Sequence, residues 1–128
     1  MATSDLVIDT NIFIDHIRSK DKTSTALYRI SNETKLYISS VTLYELYMGA
    51  TSHEKQNDIK KLTRNIVVLP FDEDVAMQAA TIYQYLKMSS QLINFRDIFI
   101  AATCITYNYP LKTMNRKHFN RIKGVQFA

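Results

Sequence analysis

Five short apolar runs rich in β-branched or aromatic residues punctuate the chain: "LVI" (6–8), "KLYIS" (35–39), "NIVVLP" (65–70), "PLKTM" (110–114) and "GVQF" (124–127). Longer segments of helical character separate them, and this alternation constrains the fold more than any other feature. Strands that alternate with helices pair in parallel, because each crossover returns the chain to the same edge of the sheet, and the crossover helices cover both faces. The expected class is therefore α/β. The helical segments carry the matching periodicity. In "DEDVAMQAATIYQYLKM", Val75, Ala79, Ile82 and Leu86 fall on one face; in "SHEKQNDIKKLTRN", Ile59 and Leu62 do; "RDIFIAATCITYN" is apolar around most of its circumference. "IFIDHIRS" and "SVTLYELYMGA" predict shorter helices, and "DKTSTALYRISNE", with Leu27 and Ile30 three apart, predicts a further helical stretch. Residues 87–95 read as an exposed connection.

The 128 residues, 46% of them hydrophobic, suffice for one sizeable core, and two Gly, two Pro and no fixed-period repeat suggest no linker, so one domain over 1–128 is expected. Cys104 is the only cysteine, which rules out an intrachain disulfide framework and a Cys-rich zinc site and suits a reducing cytoplasm. The start, "MATSDLVIDTN", lacks the basic and apolar regions of a signal peptide, and no run approaches a membrane span, so no membrane partner is expected. A net charge of +4 and a pI of about 9.2 permit a polyanionic partner without requiring one.

The acids divide into two groups. Asp21, Glu33, Asp58, Asp72, Glu73 and Asp74 lie in polar stretches, whereas Asp9, Glu45 and Asp97 sit among hydrophobic neighbours in "VIDTNIFI", "TLYELYM" and "FRDIFIAA". Asp9 ends the first predicted strand; Glu45 and Asp97 lie in the early turns of helices. In a parallel layout helix N-termini share an edge with strand C-termini, so all three carboxylates face one edge. Each also has a purely structural explanation. Asp9 fits a helix N-cap, Thr42 to Glu45 the capping-box template, and Asp97 the first turn of a helix capped by Asn94. Together they invite another explanation, since charge among apolar neighbours is costly unless paired. Carboxylates with no Cys or His in the cluster suit a hard divalent cation such as Mg²⁺ or Mn²⁺.

The segments "VIDTNIFID", "ISSVTLYELYMGA", "RDIFIAATCI" and "LKTMNRKHF" resemble, in order and spacing, the successive motifs of PIN-domain ribonucleases, and the compact length resembles the VapC-type toxins of toxin–antitoxin pairs. The similarity covers essentially the whole chain. It implies a PIN-like three-layer fold whose five-stranded parallel sheet has the order 3-2-1-4-5, with an acidic pocket at its carboxyl edge. It also implies that Asp9, Glu45 and Asp97 bind or organise Mg²⁺, for which Mn²⁺ can substitute. The implied activity is hydrolysis of RNA, with tRNA or ribosomal RNA as the target class, leaving a 5′-phosphate and a 3′-hydroxyl. A cognate antitoxin and a homodimer are the implied protein partners.

The fourth segment departs from the family's pattern. Where relatives often carry a further Asp, "TMNRKHF" supplies Asn115 and His118; Asn115 offers a carbonyl oxygen but no charge, and His118 could touch substrate, with packing or solvent exposure the favoured expectation for a lone histidine. Asn115 is carried as a catalytic candidate, with Asn11 and Thr113 shaping the pocket. Arg116, Lys117 and Arg121 are candidates for holding phosphates beside the scissile bond. The missing acid makes a second class conceivable, a nucleic-acid-binding or regulatory module whose catalytic site has decayed. A receiver-like aspartate site is disfavoured, because "VIDTN" has no D-x-D and no evident Lys partner.

Overall fold

The structure, a computed structural model, describes residues 5–128. The first residues of the amino-terminal stretch discussed above lie outside that range. Strand β1 (Asp5–Ile8) leads into helix α1 (Thr10–Arg18), β2 (Lys35–Ser39) into α2 (Ser40–Met48) and α3 (His53–Thr63), and β3 (Val67–Leu69) into α4 (Glu73–Met88) and α5 (Phe95–Tyr107), before β4 (Leu111–Lys112). All pairings are parallel and the strand order is β3-β2-β1-β4. "GVQF" occupies the fifth position beside β4, as expected, but as the single parallel bridge Leu111↔Phe127 rather than a full strand. Two backbone bonds fix it there, Leu111 N–H to Gln126 O at 2.8 Å and Ala128 N–H to Leu111 O at 3.0 Å.

Because side chains alternate across a strand, each strand feeds both layers. Val7, Tyr37, Leu69 and Leu111 pack with Val75, Ala79, Ile82 and Leu86 of α4 and the apolar α5. Ile8 and Ile38, one residue along, pack on the opposite face with Ile12, Phe13, Leu46 and Ile59. The α4 stripe read from periodicity is buried in full, as is Ile59. The middle of α5 is buried on most sides, Ile98 and Ile100 through Cys104, which explains its lack of a polar face.

The helical reading of "DKTSTALYRISNE" is corrected. Only Lys22–Ser24 forms a 3₁₀ turn, followed by irregular turns. Leu27 and Ile30 do lean on the α1/α2 layer, so their spacing signalled burial. The backbone there is instead claimed by short polar side chains: Asp21 accepts from Thr23 N–H at 3.0 Å, Thr25 from Tyr28 N–H at 3.2 Å and Ser31 from Glu33 N–H at 3.2 Å. Such local bonds compete with a helical ladder. No helix among the described residues is long and apolar enough to cross a membrane.

Candidate active site

Asp9 is buried at the seam between β1 and α1, and both explanations offered for it hold geometrically. It is the N-cap of α1, Oδ1 accepting from Thr10 N–H at 2.8 Å, while Oδ2 turns into the sheet edge and accepts from Thr113 Oγ1 at 2.7 Å. Thr113, just past β4, is the hub of a small polar lattice. Its hydroxyl also receives Asn115 N–H at 3.0 Å and Asn11 Nδ2 at 3.4 Å, while Asn11 Oδ1 accepts from Met114 N–H at 3.3 Å. Asn11 and Thr113 thus join the first motif to the fourth.

Glu45 reaches the same edge from α2. The capping-box explanation for it fails: Ser39 is the N-cap, accepting from Thr42 N–H, and Thr42 is buried within the first turn. Glu45 Oε1 instead accepts from Thr10 Oγ1 at 2.8 Å, and Oε2 pairs with Arg96 Nη1 at 2.8 Å. Thr10 Oγ1 also lies 3.0 Å from Thr42 Oγ1, and Ser39 Oγ donates to Thr42 at 3.2 Å. One proton per hydroxyl, with Thr10 donating to Glu45, sets the direction of the chain as Ser39 to Thr42 to Thr10 to Glu45.

Asp97 enters from the first turn of α5, which Asn94 caps as expected by accepting from Arg96 N–H at 2.9 Å. Asp97 Oδ2 faces His118 Nδ1 at 3.4 Å, and His118 Nε2 lies 2.8 Å from Asn115 Nδ2. With the Asn115 amide donating to Nε2, Nδ1 is the ring nitrogen that carries a proton toward Asp97. His118 thus faces solvent, as the sequence suggested, and also borders Asp97, while Asn115 bonds His118 rather than a carboxylate.

The electrostatics are those of crowded acids. Burial pushes the Asp9 carboxyl above its ordinary value, and Glu45 adds to this against the opposing bonds from Thr113 and Thr10. Burial likewise raises Asp97, with Asp9 and Glu45 contributing against His118 and Arg96. An all-oxygen donor set in which Asp9 and Asp97 are raised by burial suits a hard divalent cation, so the residues present fit such an ion chemically. They are not closed around one: among the described residues no three His, Cys, Asp or Glu side chains form a ready metal-binding group. The bonds explain why, since Glu45 is engaged by Arg96 and Thr10 while Asp97 faces His118.

The basic candidates separate. Arg116 Nη2 donates to Ala128 O at 2.8 Å and its guanidinium stacks over Phe127 at 5.1 Å, so it clasps the carboxyl terminus. Lys117 and Arg121 are exposed and belong to neither ion pair found among the described residues. Sequence reasoning missed Arg96 and Thr10 and read Thr42 only as a helix cap. The available signal was adjacency, since Arg96 precedes Asp97 and Thr10 follows Asp9. Cys104 lies buried in α5, its thiol pushed up by burial, and plays no part here.

Comparison with known proteins adds four findings. Residues 6–125 match the family model described as PIN domain. The Ribonuclease VapC of Rickettsia bellii is 35% identical, with 94% of this chain and 92% of that protein covered. Among solved structures, VapBC-1 from nontypeable Haemophilus influenzae superposes with a TM-score of 0.82 at 27% identity over 97% of this chain and 96% of that one. A toxin–antitoxin complex from Klebsiella pneumoniae gives 0.75 at 25% identity, covering 94% of each chain.

Proposed function

This chain belongs to the PIN-domain family, among the VapC ribonucleases, and from that premise we propose that it is a metal-dependent endoribonuclease toxin, restrained by a cognate antitoxin, in which Asp9, Glu45 and Asp97 hold the metal. The reading is supported above all by the convergence of these carboxylates from three elements on one sheet edge, two of them raised by burial and by a neighbouring carboxylate. Mg²⁺ is the resident ion, with Mn²⁺ able to substitute. The substrate is RNA, in the tRNA or ribosomal class, and the setting is the cytoplasm. Residues 1–128 act as one nuclease domain, paired as a homodimer.

A divalent cation supplies two things to phosphodiester hydrolysis: it acidifies the attacking water and neutralises charge growing on the phosphoryl oxygens. The chain supplies the rest. Asp9 is preset by Thr10 and Thr113, so its orientation is paid for by the fold before substrate arrives. His118, oriented by Asn115 at Nε2, turns its Nδ1 toward Asp97 and so helps to hold that carboxylate in place. Asn115 is then a positioning residue rather than a metal ligand. Lys117 and Arg121 hold flanking phosphates; Arg116 stays with the carboxyl terminus.

The purified protein is expected to cut single-stranded RNA with Mg²⁺ or Mn²⁺, to stop on addition of chelator, and to resume when the ion is restored. RNA binding without cleavage under every divalent ion tested would favour the decayed-module reading. A second experiment concerns the basic residues. Replacing Lys117 and Arg121 together by Ala is expected to flatten the plot of log affinity against log salt for single-stranded RNA by about 1.4, at ~0.7 per lost phosphate contact. Arg116→Ala is expected to leave that slope nearly unchanged, and a reversed pattern would return Lys117 and Arg121 to the solvated surface.

A further inference from the structure

Arg96 is oddly placed for a residue serving only its own helix. A cation in the first turn opposes the helix dipole, yet Asn94 Oδ1 accepts from both its backbone N–H at 2.9 Å and its Nε at 3.3 Å, bending the side chain across the site. Its Nη1 ends 2.8 Å from Glu45 Oε2. The partners differ in freedom: the Arg96 side chain is 51% exposed and that of Glu45 only 11%. Glu45 is held from behind by Thr10, so it cannot follow a moving guanidinium. On its outer side Arg96 borders a shallow groove with Val41, Tyr44 and Phe99, apolar surface along which an arginine stem can lie.

We propose that Arg96 is a built-in surrogate cation: it occupies Glu45 in the metal-free protein, competes with the divalent ion for that carboxylate, and swings out along α2 when the ion binds. The inference rests on the reading of Glu45 as a metal ligand. It accounts for three acids reaching one edge without closing into a metal-binding group, since the guanidinium draws Glu45 to itself. The physical cause is like-charge exclusion. A divalent ion bonded to Glu45 Oε2 and a guanidinium on the same oxygen repel, and only Arg96 is free to leave. The pair therefore lowers the apparent metal affinity by the fraction of time Glu45 is released.

The test is calorimetric titration of Mn²⁺ into the metal-free, full-length wild type, R96Q and R18Q, with melting curves to confirm folding. R96Q is expected to bind Mn²⁺ about tenfold more tightly, as for a site free about one-tenth of the time. R18Q, which removes an exposed arginine that borders the other side of Glu45 without pairing with it, is expected to match wild type. Equal affinities in R96Q and wild type would overturn the surrogate role alone. Equal tightening in R96Q and R18Q would also overturn it, because the effect would then be the general field of a lost positive charge. Absence of Mn²⁺ binding in all three would overturn the metal-site reading, and this inference with it.

Discussion

Asp97→Asn and Asp9→Asn each lower metal-supported RNA cleavage by more than about 100-fold, beyond the ~10–100-fold typical of losing an outer-shell partner of a metal site. Each also raises the melting temperature of the metal-free protein at neutral pH. The second effect follows from the burial of both carboxyls and from the carboxylates beside them. Their folded carboxyls titrate above the ordinary value of 3.8. Between that value and the raised one, the native state binds more protons than the unfolded chain. These groups therefore subtract stability as pH rises through that window, and the loss is complete above it. An amide cannot ionise and is spared the penalty. The gain of Asp97→Asn over wild type is expected to be largest at neutral pH and to vanish toward pH 4. Saturating Mn²⁺ reverses the order by stabilising wild type, which binds it, over the variant. Full cleavage by Asp97→Asn, or a stability difference that ignores pH, would remove Asp97 from the site.

Much of this arrangement was legible in the chain because the signals were local. Strand and helix periods fixed the parallel sheet, and hydrophobic neighbours set Asp9, Glu45 and Asp97 apart from the solvated acids. What escaped was lateral. Arg96 and His118 approach their carboxylates from other segments, and no spacing rule joins residue 96 to residue 45 or residue 118 to residue 97. Thr42 was read as the cap because T-x-x-E fits a template; Ser39 took that role because β2 runs into α2 without a loop, leaving Ser39 extended at the junction. The segment 21–33 shows the converse error. Apolar spacing reported which residues touch the core, and the Ser, Thr and Asp between them decided that the backbone would turn instead of coil.

The fourth motif also shows that a polar site depends on an apolar anchor. Thr113, Asn115 and His118 sit on a stretch with little regular structure, and the 3₁₀ turn Arg116–His118 has no side-chain cap. Phe119 closes that turn through its N–H to Arg116 O at 3.0 Å and drives a fully buried ring into the layer beneath α4 and α5. Phe119→Ala is therefore expected to cost about 3–5 kcal/mol, as for other buried aromatic deletions. That is a large share of the ~5–15 kcal/mol available to an ordinary domain, and it lowers the melting temperature by roughly 10 °C or more. Met114→Ala, a few residues away but 58% exposed, is expected to change stability by less than about 0.5 kcal/mol. Phe119→Leu refills most of the volume and recovers most of the loss. Urea denaturation of the three variants distinguishes the cases. If Phe119→Ala unfolded with the wild-type midpoint, the hydrogen bonds around Thr113 would have to hold the fourth motif on their own, and the polar lattice rather than the buried ring would be what keeps His118 beside Asp97.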